Sequence, residues 1–374
     1  MMAAREENRL AYIDSLRAIA AMLVVWVHVS QVFKGLSPAT AQSSWVNGLT
    51  VPINAGRIGV VTFFAISGFV IPFSIKLAHR FPVREFLLTR FFRLYPAYWL
   101  SIPFGAATLW LWNRPLSVSE FMINLTMLAY IFNVPLAIGL YWTLAVEFVF
   151  YMCCVALVLT GNISNYRRIG ALVLVLIALH LIAVAATWKN GGPSYELSEW
   201  PLNLAVMFWG TLYRARMRGL ATSRFETVCV RGFAFFIIVL YPLTFTYLVG
   251  VPPVHTIGYS LGVLIFVIGT RFIRIEIPPL PWLGVISYSI YLFHPVVFAA
   301  ILLWLNRLPP DSWWRSWHLG FYVLAILAIT IAVSALIYRF VERPSIRLGR
   351  RLAKAWFEKP EAIPAPVLQG TGAA

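Results

Sequence analysis

The sequence predicts an all-α protein, a polytopic transmembrane helical bundle of about ten spans with both termini cytoplasmic. Three observations carry that reading. Of 374 residues, 60% are hydrophobic and only 12% charged, with a mean hydropathy of +0.78. A soluble domain is about a quarter charged, so this chain cannot cover its apolar surface with water-facing groups. Apolar runs of the about 20 residues needed to cross a hydrocarbon core recur along nearly the whole length. Lysines and arginines fall in alternate connections between those runs, the pattern membrane insertion imposes on cytoplasmic loops. That topology accounts for the formal net charge of +16 and leaves no call for a nucleic-acid partner.

Taken in order, the spans are expected near 12–33, 58–78, 91–112, 141–160, 169–187, 200–213, 231–249, 254–270, 283–303 and 319–341. Arg80, Arg84 and Arg90, then Arg167 and Arg168, then Arg214, Arg216, Arg218 and Arg224, then Arg271 and Arg274 fall on one side, with Arg343, Arg347, Arg350, Arg351 and Lys354. The other side carries only Lys34, Arg57, Arg114, Lys189, Arg307 and Arg315. The segment 119–139 is apolar enough for an eleventh span, but a crossing there would invert every later loop against the charge pattern. It is read as a re-entrant or interfacial helix on the outer side, broken at Asn133-Val134-Pro135. The chain divides into a transmembrane domain, 1–351, and a cytoplasmic tail, 352–374, whose Ala, Pro and Gly-rich end has no apolar periodicity and is read as disordered. The first run is full length, carries Asp14, Arg17 and His28 and lacks a cleavage pattern, so a removable signal peptide is not expected. Cys153, Cys154 and Cys229 have no metal-ligand spacing, and no metal is expected.

Ionisable residues inside membrane spans are costly, so each is a functional candidate that needs a partner. Arg17 and His28 of the first span are eleven residues apart, nearly three helical turns, which places them on one face and about 16 Å apart along the axis. Arg17 then sits toward the cytoplasm and His28 in the outer third. A neutral imidazole can take a proton from a hydroxyl, and the competing reading is a structural histidine bonded to a neighbouring helix. Ser67-Gly68 in the second span suits close helix packing better than nucleophilic attack, because no base is assigned to Ser67. Arg90 and Arg93 share a helix face, and two guanidinium forks at a helix start suit phosphate oxygens, although positive-inside anchors look the same. Glu147 lies about 9 Å from the outer end of its span, a depth like that of His28, where it would orient the imidazole, hold an acceptor hydroxyl or make a structural pair. Pro295 frees a carbonyl one turn back, so His294 is read as satisfying local polarity. Phe340-Val341-Glu342-Arg343-Pro344 reads as a helix stop with an interfacial ion pair.

Six ordered motifs together resemble the acyltransferase-3 family of membrane acyltransferases: Asp14 to His28, Gly59 to Phe69, Arg90 to Tyr98, Trp142 to Tyr151, Ser287 to His294, and Glu342-Arg343-Pro344. The resemblance runs from Tyr12 to about Arg351 and departs at Val61 and Phe148, where the family more often has acidic or polar residues. It implies a ten-helix core in a bacterial inner membrane. That core would take an acyl group, often acetyl, from cytoplasmic acyl-CoA to a hydroxyl of a cell-surface or exported carbohydrate. Arg17 and His28 match the family's functional pair, Arg90 and Arg93 its donor-binding element, and Glu147 its acidic position. On this reading His28 and Glu147 are catalytic, and Arg17, Arg90 and Arg93 bind the donor. Asp14, Ser67, Tyr291 and His294 contact substrate or support the site. The alternative is a transporter or flippase of a lipid-linked saccharide, against which the lack of internal repeats argues.

Overall fold

In hydrocarbon, a segment must satisfy its own backbone N–H and C=O groups, so each apolar run folds as a helix. The computed structural model describes residues 10–189, 195–247 and 253–357, and these hold helices and turns but no strand. The helices are α1 Ala11–Phe33, α2 Pro38–Gln42, α3 Trp45–Gly48, α4 Ala55–Val70, α5 Pro82–Leu111, α6 Val118–Asn124, α7 Tyr141–Leu159 and α8 Tyr166–Lys189. There follow α9 Tyr195–Met217, α10 Arg224–Phe235, α11 Tyr241–Tyr247, α12 Pro253–Arg271, α13 Leu280–Val285, α14 Ser287–Asn306, α15 Leu319–Ile337 and α16 Arg343–Phe357. Among the described residues eight stretches are long and apolar enough to cross a bilayer, and the chain is an integral multi-pass membrane protein. Two of the expected spans, α5 and α9, are not among the eight, although at 30 and 23 residues both have the length. They carry buried or half-buried charge instead, Glu85, Arg90 and Arg93 in α5 and Arg214 in α9.

Three boundaries differ from expectation for local reasons. Pro82 occupies the first turn of α5, where a missing N–H costs no hydrogen bond, so the helix starts well before 91. The run expected from 283 is broken at Ile286 into α13 and α14. Glu342-Arg343-Pro344 is not a helix stop. A π-helical turn, Tyr338–Glu342, joins α15 to α16 as one continuous rod, with Pro344 again in a first turn, and Glu342 is turned inward. α16 therefore carries ordered helix past residue 351 to Phe357, and the remainder of the expected tail, 358–374, lies outside the described residues, as does the end of the run expected at 231–249.

The apolar segment 119–139 forms no spanning helix. α6 has seven residues, and turns follow, with Asn133 in the left-handed region at φ 54°. The Asn124 amide donates to the carbonyls of Glu120 (2.8 Å) and Pro135 (2.9 Å), and its oxygen accepts from the Ala137 N–H (3.0 Å). Tyr95, Tyr98 and Trp99 of α5 donate to the carbonyls of Thr126, Asn124 and Leu125, so the neighbouring helix supplements the backbone hydrogen bonds that the turns make among themselves.

At the centre of the bundle α4 packs on α1, α9 and α12. Contact this close needs residues without side chains: a Cβ on Gly68 would stand 1.7 Å from the Met207 carbonyl oxygen of α9, and one on Gly284 1.8 Å from the Asp14 carbonyl oxygen of α1. Thr211 adds a hydrogen bond to the Gly68 carbonyl at 3.0 Å. Gly68→Ala is expected to force α4 and α9 apart and to destabilise the protein by about 1–3 kcal/mol, the usual cost of overpacking. A thermal-shift measurement in detergent would read this as a lowered melting temperature, and an unchanged one would refute the packing argument.

Candidate active site

One end of α1 carries Arg17, held by Asp14 across 3.4 Å. Asp14 is buried because α13 seats Gly284 on its backbone. Arg17 faces a half-open cleft of about 740 Å³, the space at its mouth included, between α1, α4, α5, α7 and α14. Ser67 reaches it from α4, Arg90 and Arg93 from α5, Glu147 and Tyr151 from α7, and Tyr288 and Tyr291 from α14. The three-residue spacing of Arg90 and Arg93 puts both guanidinium groups on the cavity side of α5.

Glu147 accepts hydrogen bonds from Ser67 Oγ (3.2 Å) and Tyr151 OH (2.7 Å). Arg90 donates to Ser74 Oγ at 2.6 Å and lies over the rings of Phe86 and Tyr151. Glu342 accepts from Ser289 Oγ at 2.8 Å and lies within electrostatic reach of Arg93 and Arg17. Among the described residues Arg93 makes no direct hydrogen bond or ion pair, and its charge faces the cavity with Glu342 as a more distant counter-charge. A cavity in low dielectric walled by Arg17, Arg90 and Arg93 is suited to an anion.

The other functional level lies farther along α1. His28 Nδ1 is 3.0 Å from His294 Nε2, and His294 Nδ1 is 3.1 Å from the Ile290 carbonyl oxygen. The ring centroids are 5.3 Å apart with planes 9° from parallel, so the short N–N distance makes this an edge-to-edge contact, not a face-to-face stack. A carbonyl only accepts, so His294 must carry its proton on Nδ1. Its Nε2 is then the acceptor when the ring is neutral, and His28 must donate from Nδ1. The chain of donors fixes the neutral His28 tautomer with its lone pair on Nε2. His294 is fully buried whereas His28 is half-buried. Pro295 does not leave His294 merely filling a local gap, because the histidine bonds the Ile290 carbonyl and a second helix at once.

The structure therefore brings together Arg17, Arg90, Arg93, Ser67, Glu147 and Tyr291 around one cavity, and separately joins His28 to His294. It does not place Glu147 beside His28. Glu147 shares the arginine level, and the imidazole's partner is a second histidine, because α14 rather than α7 presents a polar group to that face of α1. Phe63 and Tyr291, rings 6.1 Å apart, line the cavity, and the Tyr291 ring also meets that of His294 at 6.1 Å, although neither histidine lines the cavity itself. The Tyr291 hydroxyl is fixed by Thr143 at 2.8 Å. Sequence reading missed three contributors. Tyr151 and Ser289 look like ordinary small-polar or aromatic residues of apolar spans, and Glu342 looks like the end of one. A glutamate at a predicted helix end followed by a proline was the only signal available, and it fits a surface cap equally well. Among the described residues no group of three or more His, Cys, Asp or Glu side chains could hold a metal ion.

Residues 10–339 match the family described as acyltransferase domain. The chain is 27% identical over 92% of its length to BcsY of Komagataeibacter xylinus, which bears the name of a membrane-bound transacylase, and covers 85% of that protein. It is 24% identical over 91% of its length to YrhL of Bacillus subtilis, which bears the name of a peptidoglycan O-acetyltransferase, and spans only 55% of that protein. No solved structure matches it.

Proposed function

The chain belongs to the acyltransferase-3 family and is a membrane acyltransferase, and from that premise we propose that it moves an acetyl group from acetyl-CoA to a hydroxyl of a cell-surface or exported carbohydrate. The relatives' names support O-acetyl transfer as the class of chemistry. The observation that carries the reading is the directed relay Ile290 carbonyl, His294, His28, which presents a basic Nε2 on a helix whose other level is an arginine.

The donor enters at the arginine level, where Arg17, Arg90 and Arg93 attract its phosphates and Glu147, held by Ser67 and Tyr151, keeps the group of guanidinium charges from repelling one another apart. Its thioester end passes between Phe63 and Tyr291 to reach the imidazole pair. The acceptor hydroxyl arrives from the opposite face. His28 Nε2 takes the hydroxyl proton as the oxygen bonds to the thioester carbonyl carbon. The carbon–sulfur bond then breaks, and the proton passes from the imidazolium to the departing thiolate, so the products are an acetyl ester and free CoA thiol. His294 accepts from Nδ1 throughout and steadies the imidazolium, as an orienting partner does in other acid–base pairs. Tyr291 closes the path to water between turnovers.

The reading is tested with the purified chain in lipid nanodiscs supplied with acetyl-CoA labelled in the acetyl group. Release of CoA thiol together with transfer of label to surface glycan extract is the expected result. Glycans moved across the membrane with no thiol released would overturn it in favour of a transporter.

A further inference from the structure

A second, half-open cavity lies where the start of α5 meets the C-terminal α16, about 1520 Å³ with the space at its mouth included. Lys76, Arg90, Arg93, Arg350, Arg351 and Lys354 line it. Three separate segments of the chain supply these cations. Positions 350, 351 and 354 recur at helical spacing, so one face of α16 is basic. That face is fixed in place, because Gly349 brings α16 so close to α5 that a Cβ would stand 2.6 Å from Phe92 Cβ. The only carboxylate in the wall, Glu85, is already matched by Lys76 at 2.8 Å and His79 at 2.6 Å. Among the described residues Arg350, Arg351 and Lys354 make no ion pair or hydrogen bond.

Basic residues at helix ends usually anchor a protein in anionic headgroups, where they fan outward along the membrane surface. These converge instead on one concavity. Arg90 and Arg93 line both this cavity and the one containing Arg17 and Glu147, so the two adjoin at these arginines. The outer part is basic and wide. The inner part is narrower, with Phe63, Phe64, Leu94 and Leu144 among its walls. A ligand that fits both has a polyanionic head joined to a long, weakly polar arm.

We propose that this outer cavity is a nucleotide cradle in which Arg350, Arg351 and Lys354 hold the 3′-phosphate of the nucleotide end of acyl-CoA, leaving Arg90 and Arg93 at the neck to meet the diphosphate from which the pantetheine arm enters. The inference rests on acyl-CoA as the donor. It adds that α16 selects a nucleotide-bearing thioester over a bare one, by charge-assisted hydrogen bonds to groups remote from the reacting carbonyl.

Steady-state kinetics with the full chain in nanodiscs test it, using acetyl-CoA, acetyl-3′-dephospho-CoA and acetyl-pantetheine as donors. For the native chain KM should rise across that series. Arg350→Ala, Arg351→Ala and Lys354→Ala should each raise KM for acetyl-CoA by about tenfold, the effect of losing one such contact, with little change for acetyl-pantetheine. Arg350→Lys should recover part of the loss. Arg224→Ala is the control, since Arg224 is exposed at the start of α10 and lines neither cavity, and it should match the native chain. KM values that move equally for all three donors, or not at all, while acetyl-CoA is still turned over would overturn the cradle and leave the donor assignment standing. No turnover of acetyl-CoA by the native chain would overturn both. The comparison is made in phosphatidylcholine discs and in discs containing phosphatidylglycerol. An effect confined to the anionic discs would assign the basic face to lipid headgroups and overturn the proposal, whereas equal effects in both support it.

Discussion

His28→Ala is expected to reduce acetyl transfer by about 10²–10⁴-fold, the range a positioned general base supplies, while the protein still purifies as a folded species. The side chain is half-buried at the surface of α1, and its removal leaves His294 bonded to Ile290, so the bundle loses one hydrogen bond rather than its core. The loss should appear in kcat with little change in the donor's KM, because the arginines proposed to hold the donor's phosphates line a cavity that does not include His28. Release of CoA thiol measured beside a melting curve separates the two effects. Native rates from a folded His28→Ala protein would remove His28 from the chemistry.

His294→Leu is the second large effect, with an expected loss of about 10–100-fold in kcat, the scale on which orienting partners of functional histidines act. A leucine fills the space but accepts no proton, so the neutral His28 ring is no longer held with its lone pair on Nε2. His294→Gln separates positioning from packing. Its amide oxygen can accept from His28 Nδ1 and its amide N–H₂ can donate to the Ile290 carbonyl, so it should recover most of the activity lost in His294→Leu. Equal losses in both variants, tracking their melting temperatures, would reduce His294 to a structural role. A pH profile adds a readout that packing alone would not move: in His294→Leu, where nothing locks the tautomer, the acid limb of kcat should be displaced from its native position.

Much of this was legible in the chain. Apolar length and the alternation of basic loops fix a helical membrane protein because hydrocarbon tolerates few other folds, and that constraint acts within each segment. Arg17 and His28 can be paired from spacing alone, since both lie on one helix whose geometry is known. Arg90 and Arg93 share a face for the same reason, and both reach the cavity. The segment 119–139 shows the other limit of local reading. Its apolar composition permits a span, and the tertiary structure shows how its backbone is satisfied without one, by turns of its own together with hydrogen bonds from Tyr95, Tyr98 and Trp99 on α5 and those of Asn124. The continuation through Glu342 was misread because proline in a first turn and proline after a last turn look alike in sequence.

What the sequence determined by itself, then, is the class of molecule, the helical spacing of its charges and the family those motifs mark. What only the tertiary structure decided is partnership. Glu147 belongs with Ser67 and Tyr151 at the arginine level, His28 with His294, and Glu342 with Ser289, and none of these pairs is close enough in sequence for spacing to reveal, apart from Glu147 and Tyr151 one helical turn apart. The physical reason is that a helix's internal geometry follows from its own backbone, whereas the rotation and depth at which two helices meet are set by side-chain packing between them, here by glycines such as Gly68 and Gly284 that admit a neighbouring backbone at one position.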